Sequence, residues 1–544
     1  MKKLTFIFIF LQAFILTGVS QSSVSVQSFP GGFLENRDAN VVRPKFDTTV
    51  IAQFMPQRGL FTFPAPYNTQ GIRITNRGDC PPNIPDCVSA VEYSYWRNMN
   101  NHVKEDSILI ALKLFYGQWD ERITLFSYNK LTDQVRNLGP LYNKGPAIGI
   151  NAGTIYFSAK SPHMLYIKTW SALVRLDVIT KVVDTVFDIK KKPIKGMMST
   201  DKFIWQVNSS DDDRMHSFTL KQDDSTYEDL GAAVYDELKD TVYFFPRTAC
   251  YYDECQIDKS GNWLIIKENQ CDANPQFDGR IVDLRTMLQT KTLNIDSNHI
   301  GHSDCGWGYA VASDNALNTP LGKSLVRLNK PFNPLCVDSA SGWWNYKNCG
   351  KGGEHIAHGN AVDTNIVPIK DQYAIASGIG GTYSCARTNE VFAMRLNGSK
   401  QLLIVAPVLT DSDNDTVHAE YGLSPKANID VTGKYCIWTS NLGTQRFDIL
   451  MAKIPSELLV PDGVHPIVHT DAQFKIMPNP AKDKVMIVVN DFANNTYVDL
   501  VDLTGQRLRR ILLTQASSSI SLDGLSRGLY FLGYNKQYVK LVVE

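Results

Sequence analysis

The turn Asp430-Val431-Thr432-Gly433-Lys434-Tyr435 runs directly into the apolar stretch GKYCIWTS, and Asp258-Lys259-Ser260-Gly261-Asn262-Trp263 runs in the same way into NWLIIKE. A polar turn with a glycine, then a run of β-branched and aromatic residues, marks a tight turn feeding a strand. GTIYFSAK, DKFIWQV, DTVYFFP and QYAIASG are strands of the same flavour. A second unit recurs between them: an alternating apolar strand, a polar turn, and often another strand. It begins at Ile123, Leu173, Met215, Gly279, Ser324, Asn389 and Phe447, as in LVRLDVITKVVDTVFDI from Leu173. The seven starts lie about 40 to 70 residues apart, the range of a four-stranded sheet with variable loops. Helix signals are few.

Seven such units predict an all-β fold, a seven-bladed β-propeller over residues 40–458. Radial closure also explains how so much sheet stays soluble, because few strand edges remain exposed. A pair of β-sandwich domains would use similar strands, but no linker-like stretch interrupts residues 100–455. The two glycine turns resemble the S-P-D-G-K-x-I-x-F turn of TolB-type propellers, without its proline.

The C-terminal segment, residues 473–544, has a different character. It opens FKIMPNPAKDKVMI, with Pro478-Asn479-Pro480 as a rigid turn, and continues VDLVDLTGQRL and ISLDGLSRGLYFL. Thr504-Gly505-Gln506 reads as a hairpin turn, and Gly528 precedes the strand Leu529–Leu532. Short alternating strands of this kind make a small antiparallel β-sandwich. The segment resembles the type A C-terminal sorting domain of the type IX secretion system. The resemblance rests on Pro478-Asn479-Pro480, on Leu500 to Gly505, on Gly528-Leu529-Tyr530 and on Lys540. It implies export by the type IX machinery and a secreted or outer-membrane surface location. Leu459 to Gly463 opens a linker, residues 459–472.

The N-terminus agrees. Lys2 and Lys3 precede the apolar stretch Leu4 to Leu16, and Thr17-Gly18-Val19-Ser20 supplies small residues before Gln21. Residues 1–20 read as a cleaved signal peptide, too short to span a bilayer as an anchor. The chain holds 55 basic and 55 acidic residues, and that zero balance argues against a nucleic-acid partner. No transmembrane anchor is expected.

Ten cysteines in an exported chain point to disulfides. Cys80 with Cys87, Cys250 with Cys255, and Cys336 with Cys349 have the spacing of local staples. Cys436, inside an apolar strand, reads as a buried thiol. Cys271, Cys305 and Cys385 stay unassigned.

Propeller ligands sit where loops entering the inner strands meet the axis, and polar residues collect at such points here. His302, Asp304, His355 and His358 can form a divalent metal site for Mn, Ca or Zn, with Asp304 as fourth ligand or supporting partner. An i, i+3 pair on a strand faces opposite ways, so His355 and His358 can cooperate only from a loop, which Gly359 favours. The arrangement is similar to that of oligogalacturonate lyases, and this resemblance implies a metal that holds a uronate. The competing reading makes these histidines turn and core residues. A second feature is the loop from Cys336 to Cys349, where Trp343, Trp344 and Tyr346 form an aromatic platform suited to a sugar, with Trp307, Trp96, Asn360 and Asn428 extending it. Alternatively, those tryptophans fill the gap between blades five and six. Asp411-Ser412-Asp413-Asn414-Asp415 lacks the glycine and glutamate of an EF-hand and reads as an acidic turn. G-x-S-x-G, P-loop and H-E-x-x-H patterns are absent.

The expected function is therefore an exported propeller that binds a glycan or a surface protein. The alternative is a metal-assisted, lyase-like enzyme on an acidic polysaccharide.

Overall fold

The computed structural model describes residues 29–100, 105–117, 120–142, 154–192, 194, 203–222, 228–248, 251–269, 277–293, 303–313, 322–340, 355–358, 364, 367–382, 385–416, 418, 420–459, 474–489, 497–502, 506–534 and 537–544. The predicted signal peptide and nearly all of the predicted linker lie outside them. The chain divides into two compact units, Phe29–Asp462 and a second whose described residues are 474–544.

Seven antiparallel sheets make up the first unit, a seven-bladed β-propeller. Blades two to five each use four consecutive strands, and their inner strands are Ile155–Phe157, Phe203–Ser209, Tyr251–Ile257 and Ser303–Cys305. Blade six starts on His355–His358 and gains Phe33–Asn36 as an outermost strand. Blade seven starts on Asn428–Ile429, and its outer strands Gln70–Arg73 and Gly59–Thr62 come from near the N-terminus. Blade one has Ser107–Phe115, Glu121–Asn129 and Val135–Pro140, with single bridges Met99 to Ile110 and Val88 to Leu114 on its inner side. Five of the seven sequence units are third strands; the Met215 unit is a second strand, and the Ile123 unit is the middle strand of blade one.

The N-terminal strands fasten the ring. Ile72 pairs with Met451, and the Arg73 guanidinium donates to Asp448 Oδ2 at 2.7 Å while Thr75 Oγ1 donates to Oδ1 at 2.9 Å. A propeller starting at residue 40 leaves out Phe33–Asn36, whose alternation is too short to stand out.

The two glycine turns fold as their residues dictate. Asp258 ends an inner strand, and its Oδ1 accepts the N–H groups of Asn262 and Trp263, each at 2.9 Å. Asp430 Oδ1 accepts from Tyr435 N at 2.8 Å. Gly261 and Gly433 take φ of +72° and +71°, where a side chain is strained.

Cysteine pairing departs from expectation. Cys80–Cys87 is a disulfide, and Cys436 is a buried thiol as expected. Cys255 is also a buried thiol, because it lies within the inner strand Tyr251–Ile257 and not in a loop. Cys336 is a thiol on the outer strand Lys330–Asp338, and its expected partner Cys349 lies outside the described residues. Cys385 is disulfide-bonded.

The second unit is a sandwich of two sheets. One contains Phe474–Met477, Lys484–Val489 and Ser517–Ser521; the other contains Tyr497–Val501, Arg507–Leu512, Gly528–Tyr534 and Gln537–Val543. Phe474, Val485, Ile487, Leu500, Leu532 and Leu541 fill the space between them. Asn479, between its prolines, donates to Lys540 O at 2.6 Å and accepts from Val542 N at 2.9 Å, which ties the turn to the last strand. The Tyr530 hydroxyl donates to Ser526 O at 2.9 Å, just before Gly528. Asp502 and Gln506 close the hairpin whose tip, with Gly505, lies outside the described residues.

Candidate functional site

The inner strands all begin at one end of the propeller axis, here called the entry end. Between blade one and the axis runs the segment Glu92 to Asn98. Its Trp96 indole N–H donates to Val207 O in blade three at 2.7 Å, and its Tyr95 hydroxyl donates to Glu254 Oε2 in blade four at 2.7 Å. Asn98 exchanges hydrogen bonds with Asn428 in blade seven, and Arg97 O accepts from Phe157 N in blade two. A segment that touches blades two, three, four and seven crosses the axis, so Tyr95 and Trp96 form a floor between its two ends, and both line the small cavity on the far side.

Blades three and four carry matching irregularities at this mouth. The pairing of Phe203–Ser209 with its neighbour slips between Ile204 and Gln206, and that of Tyr251–Ile257 slips between Tyr252 and Glu254. Each bulge falls on the third residue of the inner strand, Trp205 and Asp253. A bulge re-aims its side chain, and Trp205 is 41% exposed although Phe203 two residues earlier is 1% exposed. Trp170, 39% exposed, stacks on Phe203 with centroids 4.2 Å apart. The Lys221 ammonium lies 5.7 Å from the Trp205 ring centroid. Asp253 is open to solvent yet crowded by protein; that desolvation, then the charge of Glu254, pushes its carboxyl up to about 6. Glu254 itself pairs with Lys267 at 2.5 Å.

Beside these aromatics lies a basic cluster drawn from blades one, two and seven. Lys113 pairs with the buried Glu92 at 2.6 Å. Burial works against the Lys113 ammonium, but Glu92 and then Glu121 outweigh it and hold its pKa up. Lys168 is buried and donates to Ile204 O at 3.0 Å. Burial first, and then repulsion from Lys113, push Lys168 down to about 8. Lys426 is pushed down to about 8 by burial, with Glu92 and Lys113 acting in opposite senses.

The other end of the axis, where inner strands turn into second strands, is packed with ion pairs. Arg97 donates to Asp211 Oδ1 at 2.8 Å, and the Trp307 indole donates to Asp211 Oδ2 at 3.2 Å. Asp304 Oδ1 accepts from Gln256 Nε2 at 2.7 Å and from Cys305 N at 2.8 Å, with Lys259 at 3.6 Å. The cavity here, about 20 Å³ and lined by Ser158, Ser210, Asp213 and Lys259, has room for about one water.

The sequence-chosen residues divide accordingly. Asn428 is fully buried and satisfied by Asn98, as a joint between blades seven and one. Trp96 is part of the floor and not of a platform. Trp307 lies half-buried near the far end and away from the aromatic rim. His355 and His358 begin and end a strand, in place of the expected loop. His302, Trp343, Trp344, Tyr346 and Asn360 lie outside the described residues. Among the described residues no three His, Cys, Asp or Glu side chains come together as metal ligands. The acidic turn at Asp411 is neutralised by Lys45, 2.5 Å from Asp411 and 3.0 Å from Asp413. Trp170, Trp205, Asp253 and the three lysines escaped the sequence reading; the one local signal was a tryptophan inside the strand DKFIWQV.

Residues 475–544 match the family described as the secretion system C-terminal sorting domain. The segment is a type IX sorting domain, which marks the protein as secreted or displayed at the cell surface. Beta-agarase A of Zobellia galactanivorans is 29% identical over 69 residues, and the match spans only 13% of this chain and 13% of that protein. Among solved structures, an oligogalacturonate lyase in complex with manganese is 10% identical, with TM-score 0.49 over 78% of this chain and 100% of that one. An oligogalacturonate lyase from Vibrio parahaemolyticus is 9% identical, with TM-score 0.48 over 72% and 96%. PorZ, a surface component of the type IX secretion system of Porphyromonas gingivalis, is 13% identical, with TM-score 0.35 over 83% and 59%. The seven blades stand on the strand pairing itself. No helix among the described residues is long and apolar enough to cross a membrane.

Proposed function

We propose that the exported propeller is a glycan-binding protein, with a saccharide ring stacked on Trp205 at the entry mouth and Trp170 beside it. The observation that supports this reading is the bulge that turns Trp205 out of the blade, although the alternation of its strand would bury it. An exposed indole offers a flat apolar face to the C–H side of a sugar, and neighbouring polar groups meet the hydroxyls. The test is a glycan array probed with purified wild-type protein and with Trp205→Ala. Loss of one stacking contact should weaken binding about fivefold to tenfold, from roughly 1 kcal/mol. Retention of no glycan, or equal retention of both proteins, contradicts the reading.

A second reading, an enzyme that degrades a polysaccharide, draws on Asp253. A carboxyl near 6 at an open mouth is poised to exchange a proton. Elemental analysis for stoichiometric Mn, Ca or Zn, with absorbance of an unsaturated sugar product, separates this enzyme from a binding protein.

A further inference from the structure

We propose that Ser209, His216 and Glu237 form an acyl-transfer site at the far end of the axis, acting on a carboxylic ester. Ser209 is the nucleophile, His216 the general base, and Glu237 the residue that positions the base. The site stands apart from the entry mouth and does not depend on the glycan reading. All three residues come from blade three, at the same end of successive strands. Ser209 ends the inner strand Phe203–Ser209, and His216 lies directly opposite it in Met215–Lys221. Glu237 follows the last residue of Asp229–Asp236. Ser209 Oγ is 2.7 Å from His216 Nδ1, and His216 Nε2 is 3.3 Å from Glu237 Oε2. The carboxylate only accepts, so Nε2 carries the proton and donates to Glu237. Nδ1 of the neutral ring is then the acceptor, and Ser209 donates its hydroxyl proton to it. Tyr156, whose phenol oxygen is 2.7 Å from Ser209 Oγ, donates in turn to that oxygen. The Arg175 guanidinium holds both Glu237 oxygens, at 3.1 and 2.9 Å. The hydrogen bond from His216 keeps the Glu237 carboxyl low; burial opposes it and Arg175 reinforces it.

A serine, a base within hydrogen-bond reach and a third group orienting the base are what an activated hydroxyl requires. Either imidazole nitrogen can serve as the base once the other is held as a donor. A chain that only satisfied a buried histidine could bury every member. Here His216 is fully buried, but Ser209 is half-buried and lines the cavity of about 20 Å³. That volume takes about one water, so it suits a carbonyl oxygen. Asp213 borders both this cavity and a cleft of about 490 Å³, lined also by Ser161, Met164, Arg175 and Val182, which has room for the alcohol part of an ester. In the reaction, Ser209 Oγ bonds to the carbonyl carbon as its proton passes to His216 Nδ1. The bond from that carbon to the alcohol oxygen breaks, and the alcohol leaves with the proton from His216. Water then attacks the acyl-serine and gives a proton to His216. The bond to Ser209 breaks, the acid departs, and the proton returns to Ser209.

The test incubates the full-length protein with an alkyl fluorophosphonate, which phosphonylates activated serines, and locates the modified peptide by mass spectrometry. Wild type should be labelled at Ser209, and Ser209→Ala should carry no label in that peptide. His216→Gln should be labelled about a hundredfold more slowly, the loss of a general base. The positioning role of Glu237 is read on p-nitrophenyl acetate. Glu237→Gln should lower kcat by about tenfold or more with KM unchanged, a split that mere loss of structure would not produce. Folding of each variant is checked by circular dichroism. Absence of label at Ser209 in wild type, or equal labelling rates in wild type and His216→Gln, overturns the inference. An unchanged kcat in Glu237→Gln overturns the role given to Glu237. Should His216→Gln fail to fold, wild-type labelling and the Glu237→Gln kinetics still decide.

Discussion

Replacing Lys168 with methionine should stabilise the propeller at pH 7 and reverse that effect in alkali. The ammonium is buried, and its pKa falls from 10.5 to about 8. That difference, about 2.5 units at 1.36 kcal/mol each, makes the charged side chain roughly 3 kcal/mol unfavourable in the folded protein. Methionine keeps the buried stem, and the lost hydrogen bond to Ile204 O costs about 1 kcal/mol. Lys168→Met should therefore be about 2 kcal/mol more stable at pH 7. The sign follows from linkage. The unfavourable charge is fully present below pH 8, where folded and unfolded chains are both protonated. Between 8 and 10.5 the folded chain loses its proton first, so wild-type stability rises with pH in that window. By about pH 10 the advantage should vanish and the variant should be slightly less stable. Urea unfolding followed by tryptophan fluorescence is the assay, because all nine tryptophans lie at or before Trp438 and report only on the propeller. A variant less stable than wild type at pH 7, or a difference that does not change between pH 7 and 10, refutes the reasoning.

Asn479→Ala removes both hydrogen bonds that tie the proline turn to the last strand, and should weaken the sandwich by about 2 kcal/mol. Cell fractionation should then find the protein retained in the periplasm; normal surface delivery contradicts that role. Asp258→Ala strips acceptors from the N–H groups of Asn262, Trp263 and Gly308 and should lower propeller stability by about 3 kcal/mol in the same urea assay. The double variant Cys80→Ser, Cys87→Ser opens the short loop between them and should cost about 2 kcal/mol, read as a lower urea midpoint than wild type.

The blades were legible because each repeats the same strand-and-turn grammar, and Asp258 and Asp430 do in space what their spacing suggests. The sorting domain was legible because its signals are local. What escaped is what only closure of the ring brings together. Lys113, Lys168 and Lys426 stand on three blades, and no window of sequence contains two of them. Trp205 was hidden for a different reason. Strand alternation puts it on the same face as Phe203 and Val207, which are buried, and only the bulge undoes that assignment. The staple expected at Cys250–Cys255 failed because Cys255 is in an inner strand packed between blades, where cysteine serves as a small apolar residue. The fastening strands near the N-terminus were missed because they complete sheets whose other strands lie hundreds of residues away.

The central claim is that the ligand sits at the entry mouth. A crystal structure of the full chain soaked with the saccharide best retained on the array tests it most directly. The account predicts a sugar ring within about 4 Å of the Trp205 indole, the separation of apolar contact. A sugar bound instead beside Arg97, Asp211 and Trp307 at the far end, with Trp205 left bare, would contradict it.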